Sequence, residues 1–478
     1  MEDLASFILD RALRAGASYA DVRILDRRQE SVNVRCGRVE ALQSTTEAGV
    51  GVRVIADGAW GFAASADLSR QALTQTAELA VRIAKASAQV NPQPVVLEPA
   101  PPVRDQWQSQ FRTNPFDVPV EDKIDLLLDA DRVLREREKI TVSGGSVSCR
   151  EEQKVFASTE GSLLQQHKLE TGGQVFATAV EGPEAQERSY PSSMEGLHAA
   201  AGYELIEEMD LMGGAQTIGR EAVELLSAPR CPQGEMPVII DASHMALQIH
   251  ESCGHPIELD RVFGSEASYA GTSFLTPDKL GSYRYGSDLV SIYADATVPG
   301  ALGTFGYDDE GTPAQRSPIV VNGVFQGYLS SREMAARLGR CSSGAMRAES
   351  WNRLPLIRMT NINLEPGDWS LEEMIKDTRH GLYLQTTRSW SIDDQRLNFQ
   401  FGCQVGWMIE NGAITHMVSN ANYQGVTPQF WATCDAIGHR DEWRMWGVVN
   451  CAKGQPVQLM HVGHGVAPTR FSRVRVGM

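Results

Sequence analysis

A chain of 478 residues is long enough for more than one domain, and 42% hydrophobic with 22% charged residues is ordinary for a folded protein. Lys and Arg number 44 against 60 Asp and Glu, so the net charge is −16, which disfavours a broad basic face for nucleic acid. No stretch approaches the roughly twenty apolar residues of a membrane helix, and the N-terminus lacks the basic start of a secretion signal. We therefore expect a cytoplasmic protein that binds neither membrane nor nucleic acid.

The first elements in chain order are a helix and a set of strands. Helical spacing in LASFILDRALRAGA is followed by strand-like runs from YADVRIL to GVGVRVIADGAWGFAAS, in which Asp57-Gly58 is a hairpin signal. A second helix is predicted over roughly residues 68–87. The proline-rich passage NPQPVVLEPAPPVRDQW then predicts an extended linker over the surface.

The same order of patterns returns after this linker. A helix in EDKIDLLLDADRVLRER precedes a meander of strands, for which Glu160-Gly161 and Gly172-Gly173 predict turns, and a further helical segment follows. Residues 1–229 are therefore predicted to form an N-terminal α/β domain of helices and antiparallel meanders. Two interpretations of the repeated order stay open: a duplicated unit, or the alternation that any α+β chain shows.

The segment APRCPQGEMP predicts a domain boundary, and strand signals dominate beyond it. VIIDA predicts a short buried strand, and ALQIHESCGHPIELD, from Ala246 to Asp260, predicts a helix. Asn322-Gly323 and Asn411-Gly412 are hairpin signals. The predicted fold class is α+β: the N-terminal domain is followed by a β-rich C-terminal domain over residues 230–478, which carries this helix on an antiparallel sheet.

Two histidines in this helix differ by one residue from the H-E-x-x-H spacing of zinc peptidases. His250 and His255 are five apart, which separates them by about 140° around a regular helix, so their rings would point away from each other. A π-type turn would realign them, and so would an end of the helix at Gly254, because Pro256 prevents regular hydrogen bonding. Glu251 would then stand beside a metal, as a general base does.

The spacing alone also fits chance, because the chain has ten histidines. A catalytic zinc needs three protein ligands and an open position. The candidates for the third ligand are Cys451, His439, His461 and His464, and the residues alone do not choose among them. Cys253, inside the motif, is expected to pack as a small hydrophobic side chain.

Several blocks together resemble the TldD/PmbA family of metallopeptidases, also called modulators of DNA gyrase, nearly from end to end. HESCGHPIELD is similar to the family's HExxxH helix, and DDEGTP at 308–313, NGVFQGYL and LPLIRMTNINLEPGD at 354–368 are similar to its downstream blocks. NCAKGQP is similar to the C-terminal segment whose Cys is a zinc ligand. The resemblance therefore implies zinc ligands at His250, His255 and Cys451, with Glu251 as the base.

This chain departs from the family pattern at its C-terminal segment. Ala452 replaces the Gly that often follows the ligand Cys, and His461 and His464 are additional histidines. Near the helix, Glu258 and Asp260 have two interpretations: partners that orient the histidine rings, or surface carboxylates or helix-end charges. The tryptophans of the C-terminal domain are predicted to be core residues rather than a substrate cage: Trp351, Trp390, Trp407, Trp431 and Trp446.

The resemblance implies a zinc-dependent endopeptidase that hydrolyses unfolded or extended peptides. It also implies a dimer, either a homodimer or a heterodimer with a family member. The alternative function is that of a non-catalytic partner or regulatory subunit, a role of some relatives that lack HExxxH. This chain keeps the motif, which favours the active type.

Overall fold

The computed structural model describes residues 1–91, 93–193 and 195–477, and it has the predicted fold class, a mixed α+β N-terminal region and a β-rich C-terminal region. Within these residues, every helix lacks either the length or the apolar character needed to cross a bilayer.

The N-terminal region is a sheet covered by helices. Its helices are α1 (Glu2–Ala15), α2 (Arg70–Ala88), α3 (Val120–Arg135), α4 (Glu204–Glu208) and α5 (Leu211–Leu225). Its strands are β1 (Tyr19–Arg35), β2 (Arg38–Ala56), β3 (Ala59–Ser65), β4 (Arg104–Gln108), β5 (Ile140–Ser158), β6 (Leu163–Glu181), β7 (Glu184–Tyr190) and β8 (Leu197–Ala199).

The two predicted meanders join in this sheet, which has the order β3-β2-β1-β5-β6-β4, with β7 and β8 also paired to β6. Antiparallel pairing of β1 with β5 connects them. The predicted hairpins at Asp57-Gly58 and Glu160-Gly161 are confirmed. The order helix, meander, helix therefore occurs twice, while a duplication as its origin stays a prediction.

Two N-terminal predictions are wrong. Gly172 and Gly173 lie inside β6 rather than in a turn, because the glycine is needed for close packing: a Cβ on Gly172 would lie 2.2 Å from the ring of His198. The end of the predicted linker is a strand, since β4 pairs in parallel with β6. Pro92, in the same linker, lies outside the described residues.

The C-terminal region consists of sheets around short helices. Its helices are α6 (Ala242–Ile249), α7 (Leu259–Val262), α8 (Arg332–Arg337), α9 (Leu371–Asp377) and α10 (Thr427–Ala432). Its strands are β9 (Gly234–Ile240), β10 (Ile292–Asp295), β11 (Arg316–Val321), β12 (Val324–Phe325), β13 (Met346–Arg347), β14 (Leu356–Ile357), β15 (Ile362–Leu364), β16 (His380–Ile392), β17 (Asn398–Glu410), β18 (Ala413–Val418), β19 (Asn422–Val426), β20 (Cys434–Ile437), β21 (Arg444–Lys453), β22 (Gln458–Val466) and β23 (Thr469–Val476).

The largest C-terminal sheet surrounds the core. It has the order β16-β9-β23-β19-β17-β18, and an additional pairing of β16 with β17 closes five of these strands into a ring. The predicted hairpins at Asn322-Gly323 and Asn411-Gly412 connect β11 to β12 and β17 to β18. Every residue of α6 is buried, and Met245 and Ile249 belong to the same hydrophobic cluster as residues of this sheet. A helix so enclosed is a rigid support for side chains at its C-terminal end.

Ion pairs join the two regions. Arg53 on β2 pairs with Glu310 at 3.2 Å, and Lys154 on β5 pairs with Asp309 at 2.8 Å. Asp309 and Glu310 belong to the DDEGTP block, which therefore lies at this interface. The loop between β7 and β8 crosses towards the C-terminal region, where Ser192, Ser193 and Gly196 form part of a cleft wall.

Candidate metal centre

A π-helical turn at the end of α6 brings the two motif histidines together. The turn spans His250–Gly254, and the amide of His255 donates to the carbonyl of His250 at 3.2 Å, which is an i to i+5 hydrogen bond. The imidazole centroids of His250 and His255 lie 4.8 Å apart. Of the two distortions that the sequence permits, the structure has the π turn.

The surroundings of this turn compensate for its broken hydrogen-bond ladder. Pro256 has no amide hydrogen, so the carbonyl of Ser252 loses its regular helical donor. The hydroxyl of Tyr285, itself fully buried, donates to that carbonyl at 2.9 Å. The hydroxyl of Ser252 accepts a hydrogen bond from the Trp431 indole at 2.9 Å. The unusual turn is thus held by side chains from distant parts of the chain.

The third member of the cluster comes from β21. One ligand-type atom each of His250, His255 and Cys451 lies within 4.8 Å of the others, and all three residues are buried. The sulfur of Cys451 is 3.8 Å from Nε2 of His255. Tetrahedral zinc with bonds of roughly 2.3 Å to sulfur and 2.0 Å to nitrogen would separate these atoms by about 3.5 Å. The spacing therefore fits a bound zinc ion with little movement.

The outward nitrogen of each histidine has a partner. Nδ1 of His255 donates to the Glu258 carboxylate at 3.0 Å, which leaves Nε2 facing Cys451. Nδ1 of His250 lies 2.8 Å from Nε2 of His464. Burial lowers the pKa of both His250 and His255, so both rings favour the neutral form that metals bind.

The surroundings of Cys451 favour the thiolate. Burial opposes ionisation, but the positive charge of the nearby Arg358 favours it, and the pKa of Cys451 is lowered below its usual value. The Arg358 guanidinium is fully buried and donates to the carbonyl of Cys451. By contrast, burial raises the pKa of Cys253 to about 12, as expected for the small hydrophobic side chain that was predicted there.

Glu251 faces the same cleft without joining the cluster. Its Oε2 accepts a hydrogen bond from the Arg396 guanidinium at 2.5 Å. Arg396 lies in the β16–β17 turn with a φ of 63°, a backbone conformation that is uncommon for a residue with a side chain. The cleft has a volume of about 250 Å³, and both the cluster and Glu251 line it. A carboxylate, three metal-binding atoms and space for a ligand therefore share one site.

The other candidates are distributed differently. His461 is bonded to Glu170 at 2.6 Å, away from the cluster, whereas His464 contacts His250 directly. Glu258 and Asp260 are both buried, so they are not surface carboxylates, but both lie at the N-terminal end of α7, as the alternative of helix-end charges has it. Asp260 pairs with Lys453 rather than with a histidine.

The tryptophan prediction is partly wrong. Trp431 is fully buried in the core, but Trp390 is 45% exposed and lines the cleft together with Trp446. Arg358, Arg396 and Lys453 were not predicted from the sequence. Lys453 could have been found from the sequence, because it lies two positions after Cys451 on the same strand. Arg396 could not, because it is far in sequence from Glu251, its partner.

Family models match nearly the whole chain. The PmbA/TldA metallopeptidase domain 1 matches residues 20–84, the central domain matches 113–228 and the C-terminal domain matches 233–477. The first two share the N-terminal sheet through β1 and β5. The C-terminal model covers the complete candidate metal centre.

Known proteins agree with these matches. A metalloprotease of Methanocaldococcus jannaschii is 31% identical over 90% of this chain and 91% of its own length. A zinc metalloprotease TldD homolog of Saccharolobus solfataricus is 24% identical over 88% of each chain. Two crystal structures share the fold: a Thermotoga maritima protein named for a modulator of a DNA gyrase (TM-score 0.77, 19% identity, 100% of both chains) and TldE of Thermococcus kodakarensis (0.77, 15%, 99% and 100%). The chain therefore belongs to the PmbA/TldD family of metallopeptidases.

Proposed function

We propose that this protein is a zinc-dependent endopeptidase that hydrolyses unfolded or extended peptides, with His250, His255 and Cys451 as zinc ligands and Glu251 as the general base. The observation that carries the proposal is the buried His-His-Cys cluster beside Glu251 in a cleft. Zinc is supported by the name of the Saccharolobus relative and by the mixed nitrogen and sulfur donors. We also propose residues 1–229 and 230–478 as the domains, with the metal centre in the second.

The chain's own groups suit this chemistry. Bound zinc would supply a Lewis acid that activates water and polarises the scissile carbonyl. Arg396 holds Oε2 of Glu251, which leaves Oε1 to accept the proton of the attacking water and to return it to the leaving amine. Glu258 and His464 fix the orientation of the two histidine rings.

Strand edges beside the cleft support an extended substrate. β16 pairs with β9 only over Leu382–Leu384, so in the described structure its following residues leave one edge without a strand partner. Thr387 and Trp390 of that segment line the cleft. Main-chain pairing to such an edge accepts many sequences and needs peptide on both sides of the scissile bond, which favours cleavage of internal bonds.

The second candidate function is a non-catalytic partner or regulatory subunit in a dimer. The resemblance to the family is what suggests this dimer, with a second copy or with another family member, and the chain shares its fold with Thermococcus TldE. The intact HExxxH motif favours catalysis for this chain, and the lowered pKa of the Cys451 thiol favours its role as a metal ligand.

The test is the substitution Glu251→Gln, which keeps the shape but removes the basic carboxylate. Peptidase activity should fall by about 10²–10⁴-fold or more, while zinc content and thermal unfolding stay close to wild type. Activity within a few-fold of wild type would exclude Glu251 as the base, and loss of zinc would make it a ligand or a structural support. If wild type and Glu251→Gln both bind zinc and neither cleaves any unfolded peptide, the function as a partner subunit is favoured.

A further inference from the structure

A second pocket lies beyond the turn of the β21–β22 hairpin. It has a volume of about 540 Å³, within the usual range for ligand sites, and it is larger than the metal cleft. Met334, Met346, Leu354 and Leu356 form much of its wall, and Leu354 is 44% exposed. None of the residues in the proposed metal centre lines it.

A buried carboxylate without its own cation lies in this pocket. Glu266 is only 7% exposed, and its side chain accepts a hydrogen bond from the Gly454 amide at 3.3 Å. The neighbouring Lys453 pairs with Asp260 at 2.7 Å and with Glu258 at 3.4 Å. In the described structure Glu266 forms no ion pair, although a buried charge without a partner is costly.

The charged side chains around Glu266 include more carboxylates than cations. Around the pocket, the carboxylates of Glu258, Asp260 and Glu266 outnumber the cations Lys453 and Arg261 by one, and those two cations pair with Glu258 and Asp260. Glu333 and Arg353, which also line the pocket, carry opposite charges and leave this excess unchanged. Burial accordingly raises the pKa of Glu266. A cation in the pocket would remove both the imbalance and the cost of burying this carboxylate.

One strand connects this pocket to the metal cleft. Cys451 and Ala452 of β21 line the cleft, and Gly454 and Gln455, directly after the strand, line the second pocket. Ala452 and Gln455 are three residues apart, so they are separated by at most roughly 10 Å, and by less because the chain turns at Gly454. A peptide that follows β21 would therefore place a side chain in the second pocket within three or four residues of its scissile bond.

We infer that the second pocket binds a lysine or arginine side chain of the peptide substrate, with Glu266 as its counter-ion; this inference rests on the proposed peptidase function. The thioether and leucine wall suits the aliphatic stem of such a side chain, while its charged end reaches the carboxylate. The net charge of −16 also attracts cationic peptides to the protein.

The test measures binding to the zinc-loaded Glu251→Gln protein, so that cleavage does not interfere. Fluorescent unstructured peptides differ at one position only, which holds lysine, norleucine or glutamate and is moved along the sequence. Norleucine keeps the stem without the charge. At one position, lysine should bind roughly tenfold or more tightly than norleucine, as expected for a hydrogen-bonded buried charge, and glutamate should bind most weakly.

The additional substitution Glu266→Gln should abolish the lysine preference, whereas Asp278→Asn, which changes the net charge equally at an exposed position outside the pocket, should keep it. Leu354→Ser should weaken the lysine and norleucine peptides alike. Equal binding of lysine and norleucine at every position, or a preference that survives Glu266→Gln, would overturn the inference.

The same peptides separate this inference from the proposed function. If wild type cleaves none of them while the lysine preference depends on Glu266, the pocket stands and the hydrolytic function fails. If wild type cleaves them all without any lysine preference, the pocket assignment fails and the peptidase function stands.

Discussion

The surroundings of Cys451 distinguish it from Cys253, although both are buried. The charge of Arg358 favours the thiolate at Cys451, whereas burial dominates at Cys253 and raises its pKa to about 12. A metal binds the thiolate form, so the two cysteines should respond differently to substitution even though both lie near the motif.

Metal analysis of purified variants tests this difference. Wild type should contain a stoichiometric zinc ion, and His250→Ala, His255→Ala and Cys451→Ser should each lose it, because a catalytic zinc has only three protein ligands. Cys253→Ser is the control and should keep zinc. Full zinc in Cys451→Ser together with its loss in His464→Ala would contradict the proposed third ligand.

The two additional histidines of β22 offer a second comparison. Nε2 of His464 bonds Nδ1 of His250, while His461, three positions earlier, bonds Glu170 instead. We expect His464→Ala to weaken zinc binding by roughly 10–100-fold, because His250 loses the partner that orients its ring. His461→Ala should change it little. Competition with a chromogenic chelator measures the affinity, and equal losses in both variants would exclude this role of His464.

At the scale of elements, the π turn decides whether the cluster can form. Pro256 has no amide hydrogen to donate to the carbonyl of Ser252, and the hydroxyl of Tyr285 donates to that carbonyl instead. We expect the π turn to depend on this hydrogen bond. The support comes from outside the helix. A change at Tyr285 should therefore alter the metal site although this residue contacts no proposed ligand.

Tyr285→Phe removes only that hydroxyl. The unsatisfied buried carbonyl should lower the free energy of unfolding by about 1–3 kcal/mol and also weaken zinc binding. Tyr328→Phe is a matched control, because its hydroxyl donates to the carbonyl of Leu275 at 2.7 Å, outside the π turn. The control should lose similar stability but bind zinc like wild type. Unchanged zinc affinity in Tyr285→Phe would show that the turn does not need this bond.

Local patterns account for the elements and for part of the site. Hairpin dipeptides such as Asp57-Gly58 and Asn411-Gly412 were sufficient to place turns, because each needs only a backbone conformation. The turn predicted at Gly172-Gly173 is absent, since Gly172 is there because a side chain would clash with His198, which is distant in sequence. Pro256 allowed a π turn or a helix end, and in the structure the π turn is accompanied by a hydrogen bond from Tyr285, which no local pattern connects to it.

At the scale of the whole molecule, the cleft combines parts of both regions. Ser192 and Gly196 come from the N-terminal region, while β16 and β21 supply the C-terminal walls. The cleft holds only about 250 Å³, and its proposed ligands are buried. Such a site admits a single extended chain far more readily than a folded domain.

This geometry predicts a preference for unfolded substrates. A substrate protein that is unfolded by a destabilising substitution should be cleaved. Its folded wild-type form should resist cleavage, because its backbone amides are already hydrogen-bonded. Peptides N-methylated at alternate residues near the scissile bond provide the control: they stay unfolded but lose donors for the β16 edge, so they should be cleaved more slowly. Mass spectrometry of the products gives the rates and positions of cleavage. Equal rates for the folded and unfolded forms, or for methylated and unmethylated peptides, would contradict strand pairing at this edge.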